Sequence, residues 1–285
     1  LVSARYKEAQ IQAAKCNLIE GKYILALAQF NTRSWNFCEE NFLAFLKSPS
    51  IDKVSKSYAE FYLGYSKYRL GKFKESCEIL SRFVSSYPEH ELIWNALMTY
   101  SNAAVQILKF DDASKYAEKA VKYAKNSSDR EKAVFLCQEI YSDSGNYEKA
   151  REILLAYSSV KNDFGAKCLL QIAKIYEKQK ENAEAQKVYS SVIENFSGKV
   201  YAEEALYRQG ELFYSEENFS LALSKFNAYN KKFPAGSFIE SSIFYTADCL
   251  SKTGNPSRAI LQYQSLLKSF PESKYVYISA KNLME

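Results

Sequence analysis

Apolar residues recur three or four positions apart along most of this chain, which is the spacing of amphipathic helices. One predicted helical face holds Leu169, Ile172, Ala173 and Tyr176. Short breakers separate such helices in pairs: Gly21–Tyr23, Gly71–Phe73, Gly145–Tyr147 and Gly254–Pro256. Glycine commonly ends a helix, and asparagine followed by proline commonly begins one. The pattern therefore predicts a series of antiparallel helix hairpins.

A small residue near the start of each predicted second helix marks the repeat. These residues are Ala26, Ser76, Ala113, Ala150, Ala185, Ala222 and Ala259, with successive gaps of 50, 37, 37, 35, 37 and 37 residues. Self-similarity at a period of this size is typical of stacked repeat proteins. We therefore predict an all-α solenoid of about seven hairpins, formed as a single domain by residues 1–285.

Two segments depart from the period. Residues 31–57 fill the long first gap and are interpreted as an irregular insertion with a lengthened or added helix, because apolar residues share a helical face there. That face holds Cys38, Phe42, Phe45 and Leu46. Residues 274–285 resemble the opening of an eighth unit, so they either cap the array or begin a truncated next unit. The absent initiator methionine leads us to expect a processed form or a segment of a longer protein.

The repeat resembles the tetratricopeptide repeat. Matching residues are Gly210, Phe219, Ala222, Phe226 and Pro234 in one unit and Ala247, Gly254, Ala259, Tyr263 and Pro271 in the next. The resemblance implies a right-handed superhelix whose concave side is lined by the first helices. Phe-Pro endings such as 270–273 look like repeats of bacterial outer-membrane assembly lipoproteins and of Tol-Pal-associated periplasmic proteins. That likeness implies a periplasmic or envelope location, with the cytoplasm as the alternative.

Projecting the groove-facing positions of this family onto the chain gives an apolar and aromatic strip with a polar edge. Its candidate partner-binding residues are Phe61, Tyr65, Tyr68, Met98, Asn102, Phe135, Tyr207, Tyr214 and Phe244. Rings supply a large contact area at little entropic cost, and such a strip suits an extended or helical peptide. The alternative for each ring is packing against the neighbouring hairpin. We expect a protein–protein interaction scaffold that binds a protein or peptide in this groove.

Composition narrows the remaining function classes. The net charge is +5 with both signs interspersed, and Glu139, Glu177, Glu211 and Asp248 project towards the groove, which disfavours nucleic acid. A small apolar ligand stays an alternative. One histidine and six isolated cysteines offer no catalytic or metal-binding pattern, so we expect neither enzymatic activity nor a cofactor. No apolar run approaches the roughly 18 residues of a membrane span.

Overall fold

The computed structural model describes residues 19–49, 51–197 and 200–283. These residues form fifteen α-helices and no strand, and the chain divides into two compact units, residues 1–150 and 151–285. The helices are α1 (Ile19–Asn31), α2 (Trp35–Leu46), α3 (Lys53–Arg69), α4 (Phe73–Ser86), α5 (Ile93–Gln106), α6 (Phe110–Tyr123), α7 (Ser127–Asp143), α8 (Tyr147–Ser158), α9 (Asp163–Lys178), α10 (Asn182–Asn195), α11 (Val200–Ser215), α12 (Phe219–Lys232), α13 (Ile239–Lys252), α14 (Pro256–Ser269) and α15 (Val276–Asn282). Within each unit, consecutive helices pack against one another as hairpins.

A residue with left-handed backbone conformation follows the first helix of every described hairpin. These residues are Arg33, Gly71, Leu108, Gly145, Lys180, Glu217 and Gly254, with φ between 57° and 78°. At Gly71, the glycine N–H donates to Tyr68 O, and the next N–H, of Lys72, donates to Lys67 O. The same pair of bonds recurs at the other six turns and satisfies the carbonyls left open at a helix end. Because these turns are equivalent, they fix which residues correspond to one another in the sequences of the seven described hairpins.

That register corrects the predicted first unit. Helix α1 runs through Gly21–Tyr23 without a break, so the predicted turn there is wrong; the turn lies at Arg33 instead. The Cys38 thiol contacts Ala26 O at 3.5 Å, just as the Ser76 hydroxyl donates to Gly64 O at 2.8 Å, twelve residues apart in both cases. Ala26 therefore belongs to a first helix.

Cys38 occupies the small position of the second helix, where the prediction had put Ala26. The gap to Ser76 is then 38 residues, close to the spacing of the later units. Residues 31–57 are accordingly not an irregular insertion, because they contain α2, the regular second helix of this hairpin, and the start of α3. Helix α2 buries Phe42 and Phe45 against α1 and α3.

Small residues hold the two helices of a hairpin close together. A Cβ atom built on Gly64 would lie 2.7 Å from Leu80 Cδ2, and one on Gly210 would lie 2.7 Å from Phe226 Cε1. Ala222 is fully buried at the same crossing as Gly210. Close packing of this kind leaves little room for an added methyl group, which explains the alternation of small and aromatic residues.

A partly buried ion network ties α2, α3 and α4 together in unit 1. The Lys67 ammonium lies 2.8 Å from Glu39 Oε1 and 2.5 Å from Glu75 Oε2, and Lys72 Nζ reaches Glu39 Oε2 at 2.7 Å. Burial opposes ionisation of Glu39, but the hydrogen bonds from both lysines hold its pKa below the usual range. Lys67 and Glu39 are the buried members, so the loss of either one leaves the other with fewer opposite charges in a place that water reaches poorly.

Five cysteines lie in the described residues, and all are buried: Cys38, Cys77, Cys137, Cys168 and Cys249. Cys16 lies outside the described residues. At the other end, α15 packs on α14, and the Asn282 amide donates to the Tyr263 hydroxyl at 2.8 Å. No helix of the described part is long and apolar enough to cross a membrane.

Candidate functional site

Rings from α1, α2 and α3 form a patch on the first-helix side of unit 1. The patch, here called the aromatic face, consists of Phe30, Trp35, Tyr65, Tyr68 and Arg69. Ring centroids of Phe30 and Trp35 are 5.3 Å apart, and Tyr65 lies 5.4 Å from Phe30. Tyr68 extends the row at 6.2 Å from Tyr65. All four rings are half-buried, so each leaves part of its surface open to a partner.

Arg69 gives the aromatic face a positive edge. Its guanidinium carbon lies 4.9 Å above the Trp35 ring, and its Nη1 donates to the Tyr65 hydroxyl at 3.5 Å. The residue is exposed, so its remaining donors face solvent. A cation held over a tryptophan ring keeps the side chain in place, which leaves an ordered donor beside the rings.

Phe61 lies beneath this face rather than on it. Only 4% of the residue is accessible, and its ring packs 5.8 Å from Phe83 and 6.2 Å from Tyr65. The predicted groove residue is thus largely a core residue that supports Tyr65 from below. Tyr65 and Tyr68 are the two members of the predicted trio with open ring surface.

The other predicted residues of unit 1 lie on the neighbouring first helices. Met98 and Asn102 are half-buried on α5, and Phe135 is half-buried on α7. The Asn102 amide nitrogen donates one hydrogen bond to Met98 O at 2.8 Å, within its own helix. Helix α5 also contacts α3, which brings Met98 and Asn102 to the first helix beside the aromatic face.

In unit 2, two of the three predicted rings are buried. Tyr207 stacks on Phe238 at 4.5 Å, and Phe244 stacks on Tyr275 at 4.7 Å. Tyr214 is half-buried. Its hydroxyl donates to Asp248 Oδ2 at 2.5 Å, and burial together with that carboxylate raises its pKa above the usual range.

Ion pairs neutralise much of the first-helix side of unit 2. Lys174 Nζ lies 2.8 Å from Glu204 Oε1, and Arg208 Nη1 lies 3.0 Å from Glu211 Oε2. An open groove of about 450 Å³ is lined by the Arg208–Glu211 pair together with Tyr207 and Tyr275. Glu211, one of the carboxylates that the sequence pointed to, is therefore paired with Arg208, and the two cations of these pairs are neutralised rather than free to contact a phosphate backbone.

The Glu177 carboxylate also belongs to the first-helix side of unit 2, and its environment combines a hydrogen bond with partial burial. It accepts a hydrogen bond from the Tyr189 hydroxyl at 2.8 Å. Burial nevertheless dominates and raises the pKa of Glu177 above its usual range. Among the described residues, no group of three or more His, Cys, Asp or Glu is placed to hold a metal ion.

Sequence reasoning missed Phe30, Trp35 and Arg69. Phe30 and Trp35 were hidden by the misplaced first hairpin, which assigned α1 to a second helix and its partner to an insertion. In the correct register Phe30 lies 38 residues before Tyr68, and it is therefore the counterpart of that groove position. Arg69 directly follows Tyr68, and its contact with Trp35 was not visible in the spacing of the rings.

Stacked helix hairpins that share one turn geometry define a helical repeat protein. The tetratricopeptide repeat model matches residues 58–90, 167–198, 204–235 and 241–273. The chain therefore carries tetratricopeptide repeats, and its fold is that of this family. Comparison with curated proteins finds no significant match in sequence.

Solved structures of low sequence identity share this fold. The C-terminal part of a TPR repeat-containing protein from Cytophaga hutchinsonii is similar at TM-score 0.63 and 14% identity, covering 92% of this chain and 99% of that one. A tetratricopeptide repeat protein from Parabacteroides merdae has TM-score 0.51 and 12% identity, with 94% and 99% covered. The apo form of RapI has TM-score 0.56 and 16% identity, with 94% and 81% covered.

Proposed function

We propose that the protein is a non-catalytic interaction scaffold that holds a peptide segment of a partner protein against the aromatic face of unit 1. The observation that carries this proposal is the row of half-buried rings from Phe30 to Tyr68, edged by the exposed guanidinium of Arg69. Tyrosine, tryptophan and arginine are the residue types most enriched where single side chains dominate binding energy.

The chemistry of the face suits an extended or helical peptide that presents apolar side chains to the rings and an acceptor to Arg69. Tyr65 contributes both a ring and a hydroxyl, so it offers packing and hydrogen bonding at one position. Met98 and Asn102 extend the contact along α5, and Phe135 extends it along α7. In unit 2 the corresponding proposed contact is Tyr214, which is half-buried, whereas Tyr207 and Phe244 are buried and would support a bound segment only from within the core.

The test compares the wild-type chain with a Tyr65→Ala/Tyr68→Ala variant as bait for partners from the source organism. Phe61 is left intact because its buried ring supports the fold. Tyr123→Ala/Tyr277→Ala is the matched control, since it removes two exposed tyrosines outside the face, which are 37% and 78% accessible. Circular dichroism establishes that all three proteins are equally helical.

We expect a partner that the wild type and the control capture and that the face variant loses. Two such rings contribute on the order of 2 kcal/mol or more each, so the affinity of the purified partner falls more than tenfold. Equal affinity of the face variant for that partner contradicts the proposal and leaves these rings as packing residues.

We also propose that the scaffold acts in bacterial cell-envelope assembly. Support comes only from the Phe-Pro repeat endings, which resemble those of envelope proteins. Cell fractionation of the source organism tests this placement: recovery with periplasmic or membrane-associated proteins supports it, and recovery with cytoplasmic proteins overturns it. The scaffold proposal does not depend on the result.

A further inference from the structure

An open groove of about 660 Å³ lies on the second-helix side of unit 1, away from the aromatic face. Its walls are the last turns of α2 and α4, and its base is the first half of α3. Three apolar side chains form the floor: Leu46, Leu63 and Ile79. This floor belongs to the hydrophobic core of the first two hairpins, so its position is set by the packing of the fold.

Positive charge surrounds the groove. Lys47 stands at the α2 wall, Lys56 on α3 and Arg82 at the α4 wall, and all three are exposed. Among the described residues that line the groove, Glu60 is the one carboxylate, and it faces the Tyr87 hydroxyl, whose pKa is raised by burial and by this carboxylate. Within the described residues, neither Lys47 nor Lys56 has a carboxylate at ion-pair distance. The lining thus carries three cations against one anion.

We propose that this groove binds an amphipathic helix of a partner protein whose apolar stripe is flanked on both sides by Asp or Glu. The apolar floor takes the stripe, and cations on opposite walls meet acidic residues on both of its edges. This complementarity identifies the partner by charge and shape, and it is independent of the peptide proposed for the aromatic face.

The geometry favours a helix over an extended peptide. Helices α2 and α4 both run antiparallel to α3, so the two walls run in the same direction and leave a channel along the helix axes. A helix satisfies its own backbone hydrogen bonds and reaches the floor with residues three and four apart. The described residues contain no strand edge with which an extended backbone could pair.

The experiment selects peptides from a random library displayed on phage, about 16 residues long and so about four helical turns. Selection uses the full chain at physiological ionic strength, and affinities of the enriched peptides are measured by fluorescence anisotropy. Lys47→Glu/Arg82→Glu reverses the charge on both walls. Lys115→Glu/Lys122→Glu is the matched control, because it makes the same charge change on the exposed surface of α6, outside the groove.

We expect enriched peptides with acidic residues on both sides of an apolar helical stripe. Their affinity should fall at least tenfold for the wall variant, fall with added salt and stay within about twofold for the control variant. Tyr65→Ala/Tyr68→Ala should leave their binding unchanged, which separates this groove from the aromatic face. If the wall variant loses helicity, Lys47→Gln/Arg82→Gln replaces it.

Three results overturn the proposal. The first is that no peptide is enriched. The second is that enriched peptides lack the acidic pattern or bind the wall variant and the wild type equally. The third is that acidic peptides lose affinity for the Tyr65→Ala/Tyr68→Ala variant instead, which places their site on the aromatic face.

Discussion

The left-handed turns provide a direct test of the repeat register. Gly71 and Gly145 have φ of 74° and 77°, whereas Arg33 and Leu108 have φ of 60° and 58° at the equivalent places. Replacing both non-glycine residues, as Arg33→Gly/Leu108→Gly, should stabilise unit 1. Replacing both glycines, as Gly71→Ala/Gly145→Ala, should destabilise it. All four positions lie in the same unit, so the two variants form an opposed pair.

The expected magnitude follows from backbone conformation alone. For a residue with a Cβ atom, the left-handed conformation has a steric cost of about 1–2 kcal/mol. The loss of conformational entropy on folding costs glycine about 0.4–1 kcal/mol more than alanine, because glycine has more backbone freedom in the unfolded chain. The difference is about 0.5–1 kcal/mol per site in favour of glycine. Packing contributes little, since a Cβ on Gly71 or Gly145 meets nothing within 4 Å and Leu108 is 75% accessible.

Thermal and urea unfolding followed by circular dichroism measure both variants against the wild type. Two substitutions together should change the free energy of unfolding by about 1–2 kcal/mol, which corresponds to a few degrees in melting temperature for a chain of this size. We expect the glycine variant above the wild type and the alanine variant below it. A glycine variant that melts lower than the wild type, or an alanine variant that is unchanged, would refute the shared turn geometry.

Three further changes test other parts of the structure. Gly210→Ala places a methyl group against the Phe226 ring and should cost about 1–3 kcal/mol, measured by urea unfolding; an unchanged midpoint argues against the close crossing. Lys67→Met leaves the buried Glu39 carboxylate with Lys72 as its remaining cation and should cost about 1–3 kcal/mol at neutral pH, with a smaller loss in acid, where Glu39 is protonated; urea unfolding at both pH values measures it. Glu177→Gln removes a carboxylate whose folded pKa is raised, so wild-type stability relative to the variant should decrease as pH rises through that pKa. Melting curves of both proteins between acid and neutral pH check this sign, and a constant difference contradicts it.

Much of the fold was predictable because the same sequence pattern recurs in most of the hairpins. Units with glycine at the turn and alanine at the crossing, such as those around Gly254 and Ala259, contain both the breaker and the helical spacing. The first hairpin lacks these signals, since Arg33 takes the place of the turn glycine and Cys38 that of the alanine. Gly21–Tyr23 resembles a turn but lies inside a helix. Local propensity was overridden there by tertiary packing.

The candidate site was predictable only in part. Helical spacing correctly put Tyr65 and Tyr68 on one side of α3, but spacing cannot tell whether a ring on that side faces solvent or the next helix. Tyr207 and Phe244 illustrate the difference, because each is buried by stacking on a ring that directly precedes a later helix, Phe238 before α13 and Tyr275 before α15. The cationic groove on the opposite side is formed by residues of three helices. The spacing of residues within any one helix therefore could not predict it.

The reactivity of the buried cysteines can report on the local stability of the hairpins that contain them. Cys38, Cys77, Cys137, Cys168 and Cys249 lie in five different hairpins. Burial raises the pKa of the Cys38 and Cys77 thiols to about 11 and of Cys137 and Cys249 to about 12. Only an exposed thiolate reacts rapidly with alkylating reagents, so each thiol is modified when its hairpin opens. Mass spectrometry of the modified peptides would therefore time the opening of these five hairpins separately, without any engineered label.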